Sequence, residues 1–194
     1  MEKKLSEMNL EELWELFPII LCEHNPEYKE WYSEEKDKIG KIIGVSKIDR
    51  INHIGSTAVE GLIAKPTIDI LLELNCNNDI ENIKLRLEDA GWVLMESESE
   101  PNFKMSFNKG YTPNGFAKKV FHLHVIFLGD WDELYFRDYL MIHKGVAKKY
   151  GELKQQLQKK YKHDRDGYTE TKTDFIRKWT KKAREDFGNR YLPS

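Results

Sequence analysis

Four short stretches hold the residue types best suited to chemistry. The first is His53-Ile54-Gly55-Ser56-Thr57, followed after Ala58–Ile68 by Asp69-Ile70-Leu71-Leu72-Glu73-Leu74. A strand feeding a Gly-Ser pair and then a helical turn presents backbone N–H groups and small hydroxyls at a helix N-terminus, which favours phosphate. Gly55, Ser56 and Thr57 are therefore candidate phosphate contacts, although the same turn also reads as a tight connection capped by Ser56 or Thr57. In an extended segment Asp69, Leu71 and Glu73 share one face while Ile68, Ile70 and Leu72 share the other. Asp69 and Glu73 are candidate metal ligands or substrate contacts, yet they lie about 13 Å apart along a strand, so spacing alone does not make them a close pair. Asp69 can instead cap a turn or meet a buried lysine. Lys65, just before Pro66, is a candidate phosphate contact or a solvated loop lysine.

The second stretch, Phe121-His122-Leu123-His124-Val125-Ile126-Phe127, alternates so that both histidines face one way and Leu123, Val125 and Phe127 the other. Beside the Asp69 strand, His122 or His124 would meet that carboxylate at a divalent ion or in a hydrogen-bonded phosphate site, with imidazole as ligand or proton carrier. The alternative is a pair of structural hydrogen bonds on a solvated face. The third stretch is Phe136-Arg137-Asp138-Tyr139-Leu140. On a helix Arg137 and Asp138 point in different directions, which leaves Arg137 able to reach an anionic substrate. In the fourth, Tyr168 to Lys172, Lys172 is a candidate second phosphate contact, whereas Lys178, Lys181 and Lys182 read as a charged helix face. His24 and His163 read as surface or loop residues, and Cys22 and Cys76 have no metal or nucleophile spacing.

The elements that must position these residues follow from periodicity. Asn9 can cap a helix over Leu10 to Leu21, kinked or ended by Pro18, and Asn25 with Pro26 starts another through Ile42. Ile48 to Ile54 and Thr67 to Leu74 are the best strands, separated by a turn or short helix from Ser56 to Ile63. Asp79 to Ala90 is helical, and Trp92 to Glu96, Asn102 to Asn108 and Lys119 to Leu128 are strands, with a loop marked by Gly110, Pro113, Asn114 and Gly115. Helical spacing returns at Leu134 to Leu140 and Val146 to Tyr161. A loop from Lys162 to Gly167 precedes a last helix capped by Thr169 and closed by Gly188.

The chain has 194 residues, 40% of them hydrophobic and 33% charged, with 9 Phe, 9 Tyr, 5 Trp and only 2 Cys, enough apolar surface for one core and too few cysteines for a disulfide scaffold. With 31 basic and 33 acidic residues the net charge is −2, so bulk charge points to no acidic polymer; it neither indicates nor rules out nucleic acid. No run approaches the roughly 20 apolar residues of a membrane span, and the acidic start does not read as a secretion signal. The expected location is the cytoplasm. Without repeats or a linker, a single domain over 1–194 is expected, helical over 1–44, sheet over 45–130 and helical over 131–188.

These segments resemble the GrpB family, a branch of the nucleotidyltransferase fold superfamily. The resemblance runs from about residue 45 to 185, through His53-Ile54-Gly55-Ser56-Thr57-Ala58-Val59, Gly61-Leu62, Ala64-Lys65-Pro66, Ile68-Asp69-Ile70, His122-Leu123-His124-Val125, Phe136-Arg137-Asp138-Tyr139-Leu140, Tyr168, Lys172, Phe175 and Ile176. It implies a mixed α+β fold, a nucleotidyltransferase-like mixed β-sheet flanked by helices. It also implies a metal-dependent transfer of a nucleoside monophosphate from a nucleoside triphosphate to an unknown acceptor. Asp69, with Glu73 or His124, would hold Mg²⁺ or Mn²⁺; Gly55 and Ser56 would position the terminal phosphates, and Lys65 and Arg137 would neutralise charge. The departure is Leu71, which stands where the superfamily carries a second carboxylate. That departure keeps two alternatives open: a non-catalytic nucleotide or anion binder, and a metal-dependent phosphohydrolase in which His122 or His124 activates water.

Overall fold

Five strands pair into one mixed sheet whose order brings the chemical stretches side by side. β1 (Ile48–Ile54) runs antiparallel to β2 (Thr67–Leu74), and β2 runs parallel to β5 (Gly115–Phe127). β5 then pairs antiparallel with β4 (Lys104–Thr112), and β4 with β3 (Val93–Glu98), giving the order β1-β2-β5-β4-β3. The computed structural model describes residues 4–99 and 102–193, so residues 1–3 of the expected N-terminal helical region and residue 194 lie outside it.

β2 reads as a nearly continuous apolar run because both of its faces are covered. On one face Ile68, Ile70, Leu72 and Leu74 pack with Leu123 and Val125 of β5 and Phe107 of β4 against α2 (Tyr28–Ile43) and α3 (Ile80–Asp89), through Trp31, Ile39, Ile43, Ile83 and Leu87. On the other face Ile54, Leu71 and Ile126 are sealed by Leu134 of α4 (Asp132–Ile142). α4 lies against α7 (Thr173–Phe187) through Tyr135, Tyr139 and Ala183. α5 (Lys144–Lys160) and the short α6 (Arg165–Thr171) complete the C-terminal layer, and α1 (Leu10–Leu16) stands near the opposite sheet edge. A mixed sheet between helices is the architecture the family resemblance implies. Among the described residues no helix is long and apolar enough to cross a membrane.

β1 and β2 have the bounds that alternation predicts, and the structure departs from expectation where local signals were ambiguous. The first helix stops at Leu16, ahead of Pro18, although Asn9 caps it as expected by accepting from Glu12 N–H at 2.9 Å. Asn25 does not cap α2; its side chain accepts from Glu27 N–H at 3.0 Å and shapes the turn before Tyr28. The expected loop from Gly110 to Gly115 is mostly strand. Gly110 (φ +93°) sits at a bulge, where an added methyl would meet the β5 backbone, and the reversal is confined to Pro113 and Asn114. The expected loop from Lys162 to Gly167 ends early because Asp164 caps α6, accepting from Gly167 N–H at 2.8 Å. Thr169 consequently lies inside α6, and Lys172 is the residue ahead of α7.

Candidate functional site

The centre of the site is set by strand register. Asp69 is paired with Ile54 across the β1–β2 ladder and with His122 across the β2–β5 ladder, so the end of β1, its Gly-Ser turn and the histidine strand converge on one carboxylate. Gly55 (φ +71°) lets the backbone leave β1 against Asp69, and a methyl at Gly55 would overlap Asp69 Oδ2. His122 Nδ1 lies 3.0 Å from Asp69 Oδ1, and its Nε2 lies 2.8 Å from the Tyr111 hydroxyl. An ionised carboxylate only accepts, so the network assigns the ring proton to Nδ1, and Nε2 accepts from Tyr111. Arg165 reaches both Tyr111 and His122 at 3.4 Å. Burial works to raise the Asp69 pKa, but the His122 hydrogen bond and the His122, His124 and Lys65 charges outweigh it and hold the carboxyl at about 2.

Cations gather around this carboxylate. Lys154, only 3% exposed, donates to Ser56 Oγ at 2.9 Å and to the Ile63 carbonyl, with its ammonium 4.8 Å from the Tyr150 ring centroid. Burial, reinforced by the charges of Lys172 and Lys65, pushes it down to about 7. Burial and the Arg165 and Lys172 charges lower Lys65 to about 8. Lys172 is also lowered to about 8, by burial and Arg165, with Asp69 opposing. Lys65 and Lys172 stand over one ring, 6.0 Å and 4.3 Å from the centroid of Tyr168. Four cations against one carboxylate, beside a small hydroxyl, can hold a multiply charged oxyanion.

Not every candidate joins this cluster. Thr57 is buried, donates to the Thr67 carbonyl at 3.0 Å and lies 2.9 Å from His53 Nε2, so its hydroxyl braces the turn. His53, stacked on Tyr32, is pushed down to about 4, chiefly by burial, and is neutral. Glu73 is fully buried in a two-pronged ion pair with Arg50, at 2.5 and 2.6 Å, and accepts from Gly129 N–H at 3.2 Å. Its hydrogen-bonding capacity is spent holding β1, β2 and the segment after β5 together. Arg137, contrary to expectation, does pair with Asp138, Nε to Oδ1 at 2.9 Å, because the long guanidinium folds back along the helix. Its remaining donors go to Asn52 Oδ1 (3.1 Å), the His53 carbonyl (3.0 Å) and the Tyr191 hydroxyl (3.0 Å), leaving it a buttress behind β1. His124 is on the same sheet face as His122 but paired in register with Leu71.

The donor set does not fit a protein-held pair of metal ions. Asp69 Oδ1 is engaged by His122, Glu73 by Arg50, and the position two residues after Asp69 carries Leu71, 1% exposed beneath Leu134. Among the described residues no three His, Cys, Asp or Glu side chains gather as a metal site. Tyr111, Lys154 and Arg165 were not singled out by sequence reasoning. Lys154 carried a readable signal, since it continues the buried stripe Ala147, Tyr150, Gly151 and Leu157 of α5, where a lysine is out of place unless it serves something.

Comparison with known proteins extends these observations. The family model described as GrpB protein matches residues 18–182, covering the sheet, both histidines and all four cations. The chain is 36% identical over 162 residues to the glutamate-rich protein GrpB of Alkalihalophilus pseudofirmus, 81% of this chain and 91% of that protein. The crystal structure of conserved protein GrpB from Enterococcus faecalis superposes with a TM-score of 0.75 at 27% identity, covering 87% of this chain and 99% of that one. A looser superposition, TM-score 0.46 at 13% identity over 77% of this chain and 45% of the other, is on the RNA terminal uridylyl transferase Cid1. Since the family match runs from the N-terminal arm through the lysine cluster to α7, the chain belongs to the GrpB protein family.

Proposed function

We propose that the pocket binds the phosphate groups of a nucleotide or a related phosphate ester. The observation that carries this reading is the cation cluster around Asp69: Lys154 holds the Ser56 hydroxyl, Lys65 and Lys172 share the Tyr168 ring within electrostatic reach of Asp69, and Arg165 reaches His122. Burying like charges together is costly, and an anion between them offsets that cost. Phosphate oxygens would accept from the lysine ammonium groups and Arg165, while Asp69 keeps His122 oriented.

A second reading, nucleotidyl transfer, is favoured by the position of Asp69 directly against the Gly55 turn. An acceptor oxygen would attack the alpha phosphorus and pyrophosphate would depart toward the lysines, which stabilise its developing charge. Mg²⁺ or Mn²⁺ belongs to this reading only if it arrives on the nucleotide, because among the described residues no three side chains gather to hold a metal ion. Hydrolysis through His122 is disfavoured, since both ring nitrogens are engaged.

Calorimetric titration with pyrophosphate and with ATP, each with and without Mn²⁺, separates these readings. Phosphate binding predicts saturable metal-free binding that Lys172→Ala weakens about tenfold, as expected for one charge-assisted contact. Asp69→Asn should leave that binding intact or tighten it, because it removes the one opposing charge. Binding that requires Mn²⁺, is lost in Asp69→Asn and is accompanied by pyrophosphate release from ATP would replace the first reading with transfer. No binding under any condition overturns both.

A further inference from the structure

A groove of about 790 Å³ opens between α1 and the sheet, on the same face as Asp69. Leu13, Trp14 and Phe17 form its walls. The floor is polar: Ser106, Asn108 and His124 project from β4 and β5, where register pairs Ser106 with His124 and Asn108 with His122. It meets the phosphate pocket at His122, Tyr111 and Arg165, which line it and also form the network around Asp69. Leu10, Val93 and Met95 on its rim are more than half exposed. Among the described residues the His124 ring makes no hydrogen bond, and burial, against the pull of Asp69, lowers its pKa, so it presents a neutral imidazole. Apolar walls, a few convergent polar groups and this volume are the usual make-up of a small-molecule site.

We infer that this groove is the site of a second substrate, a small molecule with a flat apolar body and a hydroxyl group directed at His124. The inference rests on the transfer reading, in which a nucleotide held by its phosphates among the lysines is the donor. In the step this implies, the acceptor oxygen forms a new bond to phosphorus. The bond from phosphorus to the departing phosphate oxygen breaks with its electron pair staying on that oxygen, beside the lysines. The hydroxyl proton passes to the ring nitrogen of His124 and from there to water. The space exceeds what one nucleotide base needs, which favours a separate molecule over the base of the donor.

The test uses 1-naphthol as the ring-bearing probe and pyrophosphate as the phosphate probe, followed by nuclear magnetic resonance of the Trp14 indole N–H and the His124 ring. Trp14→Phe assigns the indole signal. With pyrophosphate saturating, 1-naphthol should shift both signals saturably; His124→Leu should weaken that response about tenfold, His124→Gln less, and both variants should bind pyrophosphate within about twofold of wild type. Pyrophosphate binding without any 1-naphthol response at Trp14 overturns the groove assignment and leaves the phosphate reading standing. A 1-naphthol response without pyrophosphate binding removes the donor and overturns the assignment as a second-substrate site. Displacement of 1-naphthol by ATP but not by pyrophosphate assigns the groove to the donor's base and overturns a separate acceptor.

Discussion

At the scale of single residues, the lysines make the pocket sensitive to pH. Lys154 falls from 10.5 to about 7 in the folded chain, so between those values the unfolded chain carries a proton that the folded one does not. Stability of the ligand-free protein therefore climbs as pH rises through that window, and Lys65 and Lys172 add to the climb from about 8 upward. Lys154→Met should flatten the climb, read from urea unfolding at a series of pH values; an unchanged slope would show that Lys154 is not the source. An anion in the pocket favours the charged lysines, so pyrophosphate binding at pH 8 should take up protons. Calorimetry in buffers of different ionisation enthalpy measures the number, and zero uptake would contradict the lowered lysines. Asp69 behaves oppositely: held at about 2 against 3.8, it stabilises the fold above 3.8 and loses that contribution as pH falls toward 2. The corresponding magnitude is about 2 kcal/mol.

At the scale of elements, two ladders and one turn decide where the chemistry sits. Gly55→Ala should destabilise by about 1–3 kcal/mol or more through its positive φ, and the overlap with Asp69 should disturb His122, seen as a changed His122 ring resonance. An unperturbed resonance would mean that the turn yields elsewhere. Breaking the buried pair by Arg50→Met should cost about 3–5 kcal/mol of stability while leaving pyrophosphate affinity unchanged, since Glu73 is outside the cluster. Reduced affinity there would place Glu73 back at the site. Strand period made β1, β2 and the shared face of His122 and His124 legible in the sequence, while the grouping of Gly55, Ser56 and Asp69 came from the family resemblance. Pairing across the sheet was not legible: period two says which face a side chain takes and nothing about which strand lies beside it, so Tyr111 went unnoticed in a stretch read as loop. Glu73 and Arg137 misled for a related reason. Charged residues near an active strand look functional until their long-range partners, Arg50 and Tyr191, are in view.

At the scale of the whole molecule, the pocket is a joint between two layers. Gly55, Ser56 and Asp69 belong to the sheet and its turn, whereas Lys154 and Arg165 come from α5 and α6, and Lys172 from the junction before α7. A ligand there fastens the C-terminal helices onto the sheet, and at a hundredfold excess over Kd it adds about 2.7 kcal/mol of stability. Hydrogen exchange should slow in α6 and at the Ser56 turn on adding pyrophosphate, with little change in the α2–α3 core; uniform protection would argue against a joint. The contact between Ser56 and Lys154 spans 98 residues of chain. At a synthesis rate of about 5–20 residues per second, the turn emerges roughly 5–20 s before the lysine that holds it. Over that interval a nascent chain carries the carboxylate, the hydroxyl and Lys65, but not the three cations that α5, α6 and the junction before α7 supply. Full ligand capture thus arrives late in biogenesis, and a chain stalled ahead of α5 would possess the sheet and only one of the four cations that grip its anion.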